Sequence, residues 1–183
     1  MFEPSGVGDA HLFKEAVEVS HIVKYSHDRL GGESMLDDRV APLQVETLGR
    51  NGLRYRGRLS PLAKKGWANV PGFVVDPVQD TCGAGDWCSA GILHVLGRRG
   101  ARGLLEARKT ALEDALRFGQ ALSAWTCGFE GARGGMYEIA PEEFRRQVED
   151  ILADGGARPR NADMHASLNS GQTEAFCALC QAR

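Results

Sequence analysis

The chain has 183 residues, 43% of them hydrophobic and 25% charged, which is ordinary for a soluble globular protein of one domain. Its formal net charge of −2 excludes the strong positive field that attracts nucleic acids and acidic membranes. The apolar runs are too short to cross a bilayer, and no charged leader with an apolar core opens the chain. We therefore expect a cytoplasmic protein that binds neither nucleic acid nor membrane.

The first 60 residues are predicted to form one helix and three strands. Asp9 is a suitable N-cap for a helix with one apolar face. The predicted strands are HIVKYS (21–26), LQVETL (43–48) and LRYRGR (53–58). Gly49 and Gly52 frame the turn between the last two strands, which are therefore expected to pair as a hairpin.

Helices dominate the second half of the chain. After a short predicted strand at 73–75, apolar residues at helical spacing predict helices over 84–96 and 110–127. Pro141 suits the first turn of a last helix, EEFRRQVEDILA. Residues 154–183 are polar and are predicted to form a flexible tail. Strands that alternate with helices predict an α/β sandwich.

The stretch DTCGAGDWCSAG, residues 80–91, joins a predicted strand to a predicted helix through a turn of glycine and alanine. Glycine lets the backbone approach a ligand, and the first amides of a helix are unpaired donors that attract phosphate. Asp86 would lie beside that anion, where a carboxylate can take a proton from a hydroxyl. The pattern suits phosphoryl transfer to an alcohol. A tight turn with a helix-stabilising acid is the structural alternative.

The same stretch resembles the C-terminal signature of the ribokinase-like (PfkB-type) carbohydrate kinases, Asp-Thr-x-Gly-Ala-Gly-Asp and a small, apolar continuation. VETLGRNGLRYR (45–56) is similar to the family's TLG-x-x-G strand and turn, and residues 114–134 are similar to its late helix and GA loop. The resemblance covers about residues 1–150 and corresponds to the C-terminal half of a member. It implies a ribokinase-like three-layer α/β/α sandwich, N-terminally truncated, with a nucleotide-binding portion at 1–153.

The resemblance also implies a reaction and a set of site residues. The reaction is ATP-dependent phosphoryl transfer to a hydroxyl of a sugar or sugar-like substrate, with Asp86 as the catalytic base. The implied anion hole for the γ-phosphate consists of the amides of Gly83, Ala84 and Gly85. The implied nucleotide-binding residues are Thr47, Gly49 and Gly52 along the phosphates and ribose, and Gln120 and Ser123 near the adenine.

The implied ions are Mg2+ and, as in many family members, a monovalent cation such as K+. Backbone carbonyls near Asp80–Cys82 and in the late glycine-rich loop would hold the monovalent cation. Because family members often dimerise, the resemblance leaves an oligomer open.

Two departures from the family pattern favour a different function. Where the family has Asn-x-x-Glu, which helps to place magnesium and phosphate, this chain has Ser26-His27-Asp28-Arg29. Arg29 cannot ligate a cation, so either Asp28 supplies the oxygen or Arg29 pairs with phosphate directly. The family's N-terminal half, with most sugar-binding residues, has no counterpart here, which puts activity of this chain in question. The alternative function is a non-catalytic nucleotide-binding or interaction module.

The remaining candidates are weaker. Cys177 and Cys180 have zinc-ligand spacing, but a structural zinc site needs four ligands, so incidental cysteines in a tail are favoured. Cys82 and Cys88 flank the glycine turn, where a thiol pKa can be lowered, although small buried residues are the preferred interpretation. Trp87 follows the candidate base and is expected either to crowd the acceptor side or to pack. His11, His21, His27 and His94 are interpreted as surface or satisfied polar residues, and Lys64 and Lys65 as part of a solvated loop, with a loop over ATP as the alternative.

Overall fold

The computed structural model describes residues 1–30, 36, 41–59, 66–154 and 156–157. Two compact units account for these residues. The first unit comprises Met1–Gly72 and Ser89–Gln120, and the second comprises Phe73–Cys88 and the residues from Ala121 onward. No helix in the described ranges has both the length and the apolar character needed to span a membrane.

The first unit contains a mixed four-stranded sheet. Its strands are β1 (Ile22–Ser26), β2 (Leu43–Thr47), β3 (Leu53–Arg56) and β4 (Ala68–Val70), in that spatial order. β1 and β2 are parallel, whereas β2–β3 and β3–β4 are antiparallel. The predicted strands and the predicted hairpin are confirmed. β4 was not predicted, because a segment of three residues is too short to show the alternation of apolar and polar side chains that indicates a strand. Its pairing with β3 is what makes it a strand.

One face of this sheet packs against the N-terminal helix. α1 (Ala10–Glu18) begins at Asp9, whose carboxylate accepts from the N–H groups of His11 and Leu12, as predicted. α1 and the single helical turn α2 (His27–Leu30) share a buried core with β1. That core comprises Phe13, Val17, Val23, Tyr25, Leu30, Leu36 and Ala41.

The opposite face contacts a helix from later in the chain. Side chains alternate along β3, so Tyr55 points away from the face that carries Arg54 and Arg56. The Tyr55 hydroxyl donates to Glu113 Oε1 at 2.7 Å, and Glu113 lies on α5 (Lys109–Thr126). Burial and this carboxylate raise the pKa of Tyr55. Helices therefore lie on both faces of the sheet, which confirms the predicted α/β layering.

Three helices connect or follow these elements in the chain. α3 (Ala84–Leu96) has the bounds predicted from sequence. α5 was predicted over residues 110–127, and both of its observed ends lie one residue earlier. A 3₁₀ turn at Gly97–Arg99 and α4 (Gly100–Leu105) follow α3 and were not predicted. The chain passes between the two units within α3 and α5.

The second unit is built around an aromatic cluster. It contains β5 (Val74–Val75), α6 (Gly134–Glu138), α7 (Pro141–Asp154) and β6 (Gly156–Ala157), and β5 pairs with β6 in parallel. Trp125 is nearly inaccessible and lies 4.7–5.2 Å, between ring centroids, from Trp87, Phe129 and Phe144. Its indole N–H donates to Gln147 Oε1 at 2.8 Å. The predicted helix from Pro141 is confirmed.

Most of the predicted tail, with Cys177 and Cys180, lies outside the described residues, as do Lys64 and Lys65. Residues 156 and 157, which the tail prediction included, form β6. Within the described residues Cys82, Cys88 and Cys127 form no disulfide.

Candidate active site

The glycine turn before α3 is organised by the carboxylate of Asp80. Its Oδ1 accepts from the Cys82 N–H at 2.9 Å and its Oδ2 accepts from the Gly131 N–H at 3.0 Å. The Gln79 N–H also donates to the Cys127 carbonyl at 2.8 Å. The two glycine-rich segments of the second unit are therefore tied together. Sequence reasoning placed Asp80 in the motif without giving it this role, because its second partner is 51 residues away.

Gly83 needs to be glycine for two separate reasons. Its φ is +76°, in the left-handed region that other residues rarely adopt. A Cβ at this position would also lie 2.6 Å from the Cβ of Ala132. The Ala132 carbonyl in turn accepts from the Trp87 indole N–H at 2.9 Å. The turn therefore packs directly on the later glycine-rich segment.

The Ala84 amide of the turn differs from the expectation. The Ala84 N–H donates to the Thr81 carbonyl at 3.2 Å and is not the unpaired donor that the motif predicted. The Gly83 N–H has no hydrogen-bond partner in the part of the chain that the structure describes. The Ala84 N–H is paired because it forms the hydrogen bond that closes the turn from Thr81 to Ala84 before the helix begins.

Asp86 lies in the first turn of α3 and is exposed. Among the described residues its carboxylate has no hydrogen bond and no ion pair. A carboxylate of this kind is free to accept a proton, and it also interacts favourably with the helix dipole. The geometry thus permits the predicted base role and the structural alternative equally.

Trp87 and Cys88, which follow Asp86 in the chain, have packing roles in the second unit or are buried. Trp87 lies 5.2 Å from Trp125 and 6.0 Å from Phe144, between ring centroids, so it belongs to the aromatic cluster. Cys88 is 1% exposed, which agrees with the interpretation as a small buried residue. Burial, with a smaller effect of Asp80, raises the pKa of the Cys127 thiol to about 11.

The predicted nucleotide-binding residues of the first unit cluster at the β2–β3 connection. Thr47 ends β2, and its hydroxyl donates to the Tyr25 carbonyl at 3.4 Å. Gly49 and Gly52 both have positive φ, at +55° and +93°. A Cβ at Gly52 would collide with the backbone from Val70 to Gly72, so only glycine fits there. The turn lies at the carboxyl end of β2, where α/β sheets bind ligands.

Gln120 and Ser123 lie one turn apart on α5, in the first and second units respectively. Gln120 is 7% exposed, and its Nε2 has no hydrogen-bond partner among the described residues. Ser123 is half-buried. Their predicted contact with adenine stays a prediction.

A buried carboxylate lies beside the Ser26–Arg29 departure. Glu46, on β2, is 1% exposed. Its Oε2 accepts from Arg54 Nε at 2.5 Å, and its Oε1 lies 2.6 Å from His27 Nδ1. Burial alone would raise the pKa of Glu46, but the hydrogen bonds from Arg54 and His27 outweigh it and the pKa is lowered. Sequence reasoning missed this group, because Glu46 and His27 are 19 residues apart.

The described residues offer few side-chain ligands for a metal. No group of three or more His, Cys, Asp or Glu side chains within them is arranged to hold an ion. Asp28 is exposed and provides one carboxylate near the end of β1. One carboxylate is enough for Mg2+ that is carried mainly by substrate phosphates and water. The carbonyls of Gly131 and Ala132 each accept one hydrogen bond, from the Gly134 N–H and the Trp87 indole.

The sequence profile of the pfkB family of carbohydrate kinases matches residues 35–139. The chain therefore belongs to that family, and its resemblance to ribokinase-like kinases is confirmed. A comparison with curated proteins gave no match.

Solved structures with the same fold include three kinases. Fructokinase from Vibrio cholerae O395, described as bound to fructose, ADP and calcium, has a TM-score of 0.52 at 23% identity over 68% of this chain and 42% of its own. Aminoimidazole riboside kinase from Salmonella enterica has a TM-score of 0.57 at 24% identity, and the match covers 78% of this chain and 45% of that kinase. Ribokinase from Giardia lamblia has a TM-score of 0.60 at 18% identity, and the match covers 84% of this chain and 49% of that ribokinase. This chain thus spans less than half the length of each.

Proposed function

We propose that the protein transfers the γ-phosphoryl group of ATP to a hydroxyl of a sugar or nucleoside-like substrate, with Asp86 as the base that accepts the hydroxyl proton. One observation carries the proposal. A left-handed glycine turn, clamped by the Asp80 carboxylate, leads directly into a helix whose first turn holds an exposed, unpaired Asp86.

This arrangement supports phosphoryl transfer for electrostatic reasons. The Gly83 amide is an available donor, and the N-terminus of the thirteen-residue helix α3 favours negative charge. Preorganised donors of this type stabilise the charge on a transferring phosphoryl group, and an adjacent carboxylate can accept the proton of the attacking hydroxyl. Ala84 is left out of the proposed anion hole, because its N–H is used within the turn.

ATP is proposed to lie along the β2–β3 connection, with Thr47, Gly49 and Gly52 next to its phosphates. The exposed position of Gly49 and the positive φ of both glycines support close backbone approach. Mg2+ would be held by phosphate oxygens with Asp28, and it would neutralise developing charge. A bound K+ would use backbone carbonyls of the two segments that Asp80 joins. The cytoplasmic location and the lack of nucleic-acid and membrane binding stay predictions.

A non-catalytic nucleotide-binding module is the second candidate, and the exposed Arg29 favours it. A cation at this position can pair with phosphate but cannot ligate magnesium. If this candidate is right, the protein binds ATP without turnover, both with Asp86 and with asparagine at that position.

The experiment compares the natural full-length protein with two variants, Asp86→Asn and the control Asp114→Asn, in which an exposed aspartate on α5 is changed. ADP release would be measured with ribose, fructose and adenosine as acceptors, and ATP binding would be measured by calorimetry. We expect Asp86→Asn to lower kcat by at least about a hundredfold while ATP binding is kept. Equal turnover in all three proteins would refute the base role, and ATP binding without turnover in the unchanged protein would favour the second candidate.

A further inference from the structure

Trp87 packs in the aromatic cluster of the second unit and also makes a polar contact that the packing does not require. Its ring contacts those of Trp125 and Phe144, at 5.2 and 6.0 Å between centroids. Phenylalanine would also provide an aromatic ring for these contacts. The indole N–H, however, donates to the carbonyl of Ala132 at 2.9 Å, across 45 residues of the chain. The donor therefore needs an explanation of its own.

This hydrogen bond completes a ring of contacts around Gly83. In the first turn of α3, the backbone N–H of Trp87 donates to the Gly83 carbonyl at 2.9 Å. The Ala132 backbone lies against the same glycine, because a Cβ built on Gly83 would meet the Ala132 Cα at 3.0 Å. Trp87 thus holds Gly83 directly through its main chain, and indirectly through the carbonyl of Ala132.

The direction of the Gly83 amide depends on these neighbours. Its N–H has no hydrogen-bond partner in the part of the chain that the structure describes, so no bond of its own fixes it. Glycine also adopts several backbone conformations at low cost. The local restraint is the turn bond from the Ala84 N–H to the Thr81 carbonyl, and the long-range restraint is the contact with Ala132.

We propose that Trp87 is a positioning residue, whose indole N–H fixes Ala132 against Gly83 and so keeps the Gly83 amide directed at the transferred phosphoryl group. The inference rests on the proposed function in taking that amide as the phosphate donor. A donor stabilises the charge of a transition state best when its direction is set before the reaction, because no reorganisation is then needed. The ring anchors the residue and the N–H carries the role, so variants can separate the two.

The first test compares turnover of the natural full-length protein with that of Trp87→Phe and Phe144→Leu. Trp87→Phe removes the donor and keeps an aromatic ring, whereas Phe144→Leu loosens the packing against Trp87 and keeps its indole N–H. ADP release would be measured with ribose, fructose and adenosine, at a temperature at which all three proteins are folded. We expect Trp87→Phe to lower kcat about tenfold, the effect of one hydrogen bond, and to change the KM for ATP less than about threefold. Phe144→Leu should keep kcat within about twofold.

An isosteric replacement of Trp87 keeps the test decisive if Trp87→Phe does not fold. Benzothienylalanine has the same fused rings with sulfur in place of the indole N–H, so it removes the hydrogen bond and retains the packing. It should give the same loss of about tenfold in kcat. The pH dependence of kcat should stay that of the unchanged protein, because Asp86 would still accept the proton.

Backbone amide NMR of the full chain tests the positioning role without turnover. The order parameter of the Gly83 N–H is expected to fall from the rigid range of about 0.85 toward the flexible range below about 0.6 when the indole N–H is removed, and to be unchanged in Phe144→Leu. Inorganic tripolyphosphate added to the unchanged chain should shift the Gly83 amide resonance.

The outcomes separate this inference from the proposed function. Equal kcat in the unchanged protein and Trp87→Phe, or an equal loss in Phe144→Leu, overturns the inference and leaves the kinase proposal standing. Absence of turnover in the unchanged protein refutes the kinase proposal, and the NMR result then decides the inference. A less ordered Gly83 amide without the indole N–H, together with a tripolyphosphate shift at Gly83, supports it. An unchanged order parameter or no tripolyphosphate shift overturns it.

Discussion

Replacing Asp80 by asparagine should destabilise the second unit, because the carboxylate bridges two amides that are far apart in sequence. Both of its oxygens are used, at 2.9 Å by the Cys82 N–H and at 3.0 Å by the Gly131 N–H. Asparagine keeps one acceptor oxygen and sets an NH2 group against the other N–H. One hydrogen bond to a charged acceptor is worth about 1.5–3 kcal/mol, and the amide that loses it is left unsatisfied.

We therefore expect Asp80→Asn to lower the free energy of unfolding by about 2–3 kcal/mol, a large part of the stability of a small domain. Urea unfolding of the chain measures the total effect, and amide hydrogen exchange at Gly131 measures the local effect. The matched control is Asp114→Asn, because Asp114 is exposed on α5, and its effect should lie within about 0.5 kcal/mol. A loss of less than about 0.5 kcal/mol in Asp80→Asn with unchanged exchange at Gly131 would refute the clamp.

Three further predictions concern the same unit. Gly83→Ala should cost about 1–3 kcal/mol in urea unfolding, because its Cβ meets Ala132 and φ is +76°; a neutral result would contradict the description of the turn. Trp125→Phe should lower the free energy of unfolding by about 2–4 kcal/mol, since it removes the donor to the buried Gln147 and leaves a cavity, and a change below about 0.5 kcal/mol would speak against that contact. Cys127, with its pKa raised to about 11 by burial, should resist iodoacetamide at pH 8 in the folded chain and react once urea unfolds it; rapid labelling of the folded chain would show that the thiol is exposed.

The sequence predicted the regular elements well where a local signal existed. The N-cap at Asp9, the hairpin around Gly49 and Gly52, and the bounds of α3 all follow from short-range rules. β4 was not predicted, because a strand of three residues depends on pairing with its neighbour β3 and not on the pattern of its own side chains.

The sequence motif supplies candidate site residues, whose roles stay predictions, but it does not supply their contacts. The glycine motif identified Gly83 and Asp86, yet the Asp80 clamp and the Ala84 turn bond depend on partners that a motif does not contain. The Glu46 contact with His27 was equally hidden, because a glutamate in a strand pattern is normally expected on a solvated face. Long-range polar contacts of this kind become visible only when the strands are placed side by side.

The central proposal is that the Gly83 amide, in the turn before α3, binds a phosphate of ATP. The most direct measurement is backbone amide NMR of the chain during titration with a non-hydrolysable ATP analogue and Mg2+. We expect large shifts at Gly83, the donor of the proposed anion hole, and at Thr47 to Gly52, the residues proposed for the nucleotide, and we expect Asp86→Asn to keep them. Saturating analogue with no shift at these amides, or with shifts confined to other segments, would contradict it.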